Sequence, residues 1–213
     1  MQAIERELIS NNWVVLLFIS GLLLMFLLKL FNAEKMKGYS LSIFNKGFVE
    51  IESQEKSSNF SLFNIAFTAF SFLSISLSLY FLLNQYSERA IFSFLDYTRV
   101  SSYVLIYMLG RFILETFLMN LLEVKELLGY FFLSKRSYLY SISTGLLFLN
   151  AIYFYGFPKT TLLLVGVILL FTTRLLLILI NNKKLIVKEL FYFILYLCAF
   201  EIAPLFILFK LIF

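Results

Sequence analysis

Residues 160–180 read TTLLLVGVILLFTTRLLLILI, an apolar run interrupted by a single cation, Arg174. Large aliphatic and aromatic residues fall on every side of it. A strand of a membrane barrel alternates apolar and polar residues over about ten positions, and this run does not alternate. A helix needs about 20 apolar residues to cross the roughly 30 Å hydrocarbon layer of a bilayer, which is the length found here. The stretch is therefore read as a helix whose solvent is lipid.

Outward from it lie five more blocks of the same kind, at 12–31, 61–83, 98–122, 137–157 and 188–213. Hydrophobic residues make up 61% of the 213 positions, and mean hydropathy is +0.89. A soluble domain holds about 45–50%, and a chain this small has too much surface for its volume to hide the excess inside. The expectation is an all-α, polytopic membrane bundle of about six transmembrane helices, forming one domain over 1–213. The first block is expected to be retained. Its leading tail carries Glu5, Arg6 and Glu7 in place of a basic cluster, and Phe31-Asn32-Ala33-Glu34 follows where a signal peptide would have a small-residue cleavage site.

The loops set an orientation. Lys35, Lys37, Lys46 and Lys56 lie in 32–60, Lys125, Lys135 and Arg136 in 123–136, and Lys183, Lys184 and Lys188 around 181–187. The opposite side holds Arg6, Arg89, Arg99 and Lys159. Cytoplasmic loops concentrate Lys and Arg. The ten-to-four bias places loop 32–60 in the cytoplasm and both termini on the non-cytoplasmic side. That loop reads as a short hairpin or as an interfacial helix through 42–51. Segment 84–97, mixing Ile91, Phe92, Phe94 and Leu95 with Glu88, Arg89 and Asp96, suits the opposite membrane surface. Gly156 and Pro158 make a tight turn, so the fourth and fifth helices should be antiparallel neighbours.

Four ionisable residues interrupt the apolar blocks: Arg111, Glu115, Arg174 and Glu201. A charge at the bilayer centre costs about 2.5–3.5 kcal/mol on insertion scales, so two cations and two anions should neutralise one another. At 1.5 Å rise per residue, Glu115 and Arg174 share one depth, and Arg111 and Glu201 share another. The expected contacts are Glu115–Arg174 and Arg111–Glu201, with Arg111 and Glu115 also adjacent at i,i+4. The network either locks helices together or contacts a substrate or partner helix.

Asn64, Thr68, Ser71, Ser74 and Ser78 fall on one arc of the second helix. Small hydroxyl residues let helices approach closely and hydrogen-bond, and the arc reads as a packing face ahead of a polar path. Tyr103 and Tyr107 continue the Arg111 face, where their hydroxyls are expected to meet its donors. Tyr138, Tyr140, Tyr153 and Tyr155 read as an aromatic belt at the membrane surface. Pro204, three residues after Glu201, should kink the last helix.

Absent residues limit the chemistry. There is no histidine, one aspartate (Asp96) and one cysteine (Cys198). This excludes a Ser-His-Asp triad, His-ligated zinc or haem, an Asp-rich metal site and an internal disulfide. No metal or other cofactor is expected. The net charge of +5 is scattered over separate loops, which does not make a nucleic-acid-binding face. An enzyme built on Glu50, Glu52 and Glu55 would need them to converge at the membrane, and a solvated loop is the simpler reading.

In size, in number of spans and in the stretch Tyr107-Met108-Leu109-Gly110-Arg111-Phe112, the chain resembles domain of unknown function family 4271, small multi-spanning inner-membrane proteins of the Bacteroidota. The resemblance implies a multi-pass protein of a bacterial inner membrane, in lineages with dedicated envelope machines for secretion and motility. It implies no activity. The expectation that follows is a non-enzymatic structural or accessory subunit of a larger envelope complex. Its partners would be membrane lipids and either other integral membrane proteins or further copies of itself. The alternative is a small oligomeric transporter or channel for an anionic solute or lipid contacting Arg111 and Arg174.

Overall fold

A computed structural model describes residues 12–54, 62–86, 93–121 and 125–181. Within them the chain is helical, without strands: α1 (Asn12–Phe31), α2 (Ala33–Ser40), α3 (Lys46–Gln54), α4 (Leu62–Tyr86), α5 (Phe94–Leu121), α6 (Lys125–Ala151), a π-helical turn (Ile152–Gly156) and α7 (Thr160–Asn181). Among the described residues three helices are long and apolar enough to cross a membrane, at Asn12–Phe31, Leu62–Asn84 and Thr160–Asn181. The block expected at 188–213, with Glu201 and Pro204, and so the Arg111–Glu201 pair, lies outside the described residues.

α4 is the central helix, packed against α1, α5, α6 and α7, while α6 packs against α4, α7 and the α2–α3 hairpin. The helices run up and down, giving the bundle two ends. At one end Trp13 of α1 meets Tyr80 of α4 and Phe94 and Tyr97 of α5, ring to ring. At the other end the α2–α3 hairpin lies across α6, with Ser42 Oγ donating to the Ser137 carbonyl (2.9 Å) and Ser141 Oγ to that of Ser40 (2.6 Å).

Local chemistry sets the breaks. Asn32 is extended at φ −163°, and its side chain accepts from the Lys35 amide at 2.9 Å. It satisfies an orphan donor at the start of α2 and so lets the chain turn one residue after α1. Asn45 Oδ1 accepts from the Phe48 amide at 3.4 Å and does the same for α3. At the far end of α6 the Phe157 amide donates to Ile152 O (3.0 Å), closing the π turn. Pro158 then separates it from α7. The Gly156–Pro158 turn does make α6 and α7 packed neighbours.

At their contact Gly166 leaves room for the Leu149 side chain. A Cβ on Gly166 would stand 2.3 Å from Leu149 Cδ1, whereas one on Gly110 would meet nothing within 4 Å. Gly166→Val should therefore lower the melting temperature in detergent, by an overpacking cost of about 1–3 kcal/mol. Gly110→Ala should leave it unchanged or raise it slightly, because alanine favours helix. Equal effects of the two substitutions would remove the close approach from the explanation.

Charge and polarity across 123–136 predict a loop. From Lys125 onward the chain is instead the first three turns of α6. At 1.5 Å per residue, a helix of 27 residues is about 40 Å long. It outreaches the roughly 30 Å hydrocarbon layer, and the α2–α3 hairpin packs on it from Phe131 to Ser141.

Candidate functional site

The charge network centres on Glu115 of α5. Its Oε1 accepts from Arg111 Nε at 3.0 Å, the expected i,i+4 pair. The same oxygen accepts from Lys135 Nζ at 2.8 Å. Lys135 is 2% exposed, so this ion pair ties α5 to α6 inside the bundle. By sequence alone Lys135 is one more loop lysine. Once α6 is seen to begin at Lys125, it lies more than two turns into a helix, facing inward.

The expected Glu115–Arg174 contact is corrected. The cations acting on Glu115 are Lys135 first and Arg111 second. Arg174 is buried in α7 (3% exposed) and engaged, but α7 packs on α6 and α4 while α5 packs chiefly on α4. Equal depth along two helices does not make them neighbours. Tyr103 and Tyr107 have no hydrogen bond to Arg111 among the described residues, and Tyr103 stands exposed.

The polar arc of α4 is a packing seam over most of its length. Ser78 Oγ donates to Asn150 Oδ1 at 3.0 Å, and Asn150 Nδ2 donates to the Ser74 carbonyl at 3.1 Å. Asn150 of α6 is fully buried; the signal for it was a lone amide in an apolar block. Ser71 bonds back to its own helix, at Phe67 O. At the hairpin end, Thr68 Oγ1 lies 3.0 Å from Tyr140 Oη, which donates to the Asn64 carbonyl at 3.2 Å.

Tyr140 leads into a second charged cluster. Its ring stacks on Phe67 at 4.3 Å and meets Tyr39 of α2 edge-on at 5.6 Å. The Tyr39 phenol hydrogen-bonds Glu52 of α3, and Glu52 also accepts from Lys35 Nζ at 2.9 Å. Arg136 acts on both tyrosines through its charge. Burial, with the Glu52 carboxylate beside it, pushes the Tyr39 phenol far above its ordinary range. It stays protonated and serves Glu52 as a donor. Tyr138, Tyr140 and Tyr153 are buried, and of the expected belt only Tyr155 is exposed. Their hydroxyls and neighbours hold these rings in the helix contacts, where residue type alone suggested a membrane surface.

The arrangement can hold helices together through paired charges and shared hydroxyls. Where a solvated loop was expected for Glu50, Glu52 and Glu55, Glu52 is buried beside Lys35 and Tyr39 while Glu50 is exposed; Glu55 lies outside the described residues. No curated protein and no solved structure matches the chain. One family does, described as Domain of unknown function (DUF4271), over residues 14–212. With nearly its whole length matched, the chain belongs to that family.

Proposed function

We propose that this protein is a non-enzymatic, six-span component of a bacterial inner membrane, with both termini on the non-cytoplasmic side, serving as a structural or accessory subunit of a larger envelope complex. The observation that carries the reading is the use of the interior polar groups. Glu115 is shared by Arg111 and Lys135, Asn150 by Ser74 and Ser78, Tyr140 by Thr68 and Asn64, and Glu52 by Lys35 and Tyr39. Each group ties one element to another and is thereby taken up in holding the fold. Outward, α1, α5 and α7 present broad apolar faces, among them Leu16, Leu23, Ile106, Ile113, Ile168 and Leu176. Lipid or a partner's transmembrane helix is the medium such faces suit. The six-span orientation is supported by three candidate spans, by α5 and α6 being long enough to cross, and by the Lys and Arg bias of the loops.

Affinity purification of the tagged full chain in a mild detergent, followed by mass spectrometry, tests the reading. A stoichiometric membrane-protein partner is the expected result. Recovery of the chain alone, together with solute flux when it is reconstituted in vesicles, would replace the subunit with a transporter.

A further inference from the structure

Phe44, in the bend between α2 and α3, is 86% exposed, the most exposed large apolar side chain among the described residues. It is not isolated. Ile51 is 65% exposed, and Leu41, on the α2 side of the bend, is exposed as well. Phe44 stands in the turn that leads into α3, and Ile51 is exposed one turn beyond Gly47 within the helix, so both apolar side chains are open at the outer side of the hairpin. The opposite face is committed: Val49 is buried, Phe48 packs on Tyr39, and Glu52 is held by Lys35.

The depth of this outer side decides what it meets. Val49 shares a buried cluster with Phe131 and Tyr138 of α6 and Ile178 of α7, with Ile43 and Leu177 packed at its margin. Ile178 lies in the last turn of a membrane-crossing candidate that ends at Asn181. α3 therefore sits at the level of the final apolar turn of α7, where Leu176 and Ile180 also face outward. The approach agrees. Leu30 and Phe31, the last residues of α1, are exposed, and Asn32 alone separates α1 from α2. The apolar outer surface of α1 thus leads directly into the hairpin.

We propose that the α2–α3 hairpin is a membrane-inserted element: Phe44 and Ile51 dip into phospholipid at the boundary of acyl chains and headgroups, and the hairpin does not stand in water as a loop. The proposal rests on the membrane-spanning reading of α1, α4 and α7. An amphipathic segment at this boundary buries its apolar side to a depth of about 5–10 Å. Over residues 29–54 four lysines face three glutamates, a net charge of only +1, so the main attraction is to hydrocarbon.

The test uses tryptophan fluorescence in vesicles of phosphatidylcholine alone. Trp13 is the single native tryptophan, so Trp13→Phe provides a dark background, to which Phe44→Trp, Ile51→Trp or, as a lipid-facing reference in α7, Leu169→Trp is added. The expected result for Phe44→Trp and Ile51→Trp is blue-shifted emission, weak quenching by iodide, and emission roughly halved by lipids brominated in the upper acyl chain, as at a boundary depth. If Leu169→Trp is quenched by brominated lipid while both hairpin tryptophans respond to iodide as in water, the hairpin proposal falls and the spanning reading stands. If none is quenched by brominated lipid, both fall. Hairpin tryptophans open to iodide in pure-protein vesicles but shielded in native membranes would assign these side chains to a protein partner and overturn the lipid assignment. Both hairpin positions are exposed, so substitution there leaves the packed face of α3 intact.

Discussion

Glu115→Leu is expected to cut the membrane yield of the protein sharply and to lower its melting temperature in detergent more than any other single substitution considered. The carboxylate is the common partner of Arg111 Nε and Lys135 Nζ, at 3.0 and 2.8 Å from one oxygen. Without it the guanidinium and the buried ammonium lose the carboxylate oxygen that they share. Removing one member of a buried ion pair costs about 3–5 kcal/mol, most of it the penalty of the charge left behind. A second substitution should return part of the loss. In Glu115→Leu/Lys135→Leu the buried cation is gone, and replacing a buried pair by apolar side chains is often close to neutral. The measurement is a melting curve for the wild type, each single variant and the double variant. If the double variant equals the sum of the two singles, Glu115 and Lys135 are not coupled and the lock between α5 and α6 does not exist.

The second large effect is expected at Tyr140. Its ring is stacked on Phe67, set edge-on to Tyr39, and buried to 1% exposure. Its hydroxyl joins Thr68 and Asn64 of α4. Truncating a buried aromatic to alanine costs about 3–5 kcal/mol through lost contact and the cavity left behind. Losing only the hydroxyl costs about 1 kcal/mol. Tyr140→Ala should therefore destabilise several times more than Tyr140→Phe, and should also release the hairpin, which Tyr39 anchors to that ring. Limited proteolysis reads the release as cleavage within 32–60. Equal destabilisation by the two variants would shift the weight from ring packing to the hydrogen bonds. An uncut hairpin in Tyr140→Ala would show that Ser42 and Ser141, bonded to Ser137 and Ser40, hold it unaided.

Composition and run length were enough to establish a helical chain suited to lipid, because every apolar run must be covered by something other than water and only a helix satisfies its own backbone within one segment. Spacing along one helix was equally legible. The Arg111–Glu115 pair and the hydroxyl arc of α4 follow from 100° per residue, and the α6–α7 turn follows from Gly156 and Pro158. What crosses between helices was not legible. Depth put Glu115 level with Arg174, but which helix stands beside α5 depends on how the helices pack, and the partner became Lys135. The same lysine illustrates the second limit. A charged stretch such as 123–136 reads as loop by composition. The hairpin packing on α6 and the Glu115 carboxylate of α5 supply the burial and the counter-charge that let it continue as helix. Tyr39, Tyr140 and Asn150 are ordinary residues of a membrane helix or loop until their hydroxyls and amide are placed opposite the groups that use them. The helices and their span-length apolar runs were written in the order of the residues, since hydropathy and helical period are local properties. The pairing of charges and rings was decided by tertiary structure alone, since a partner distant along the chain is chosen by geometry between helices and leaves no mark in the spacing of either one.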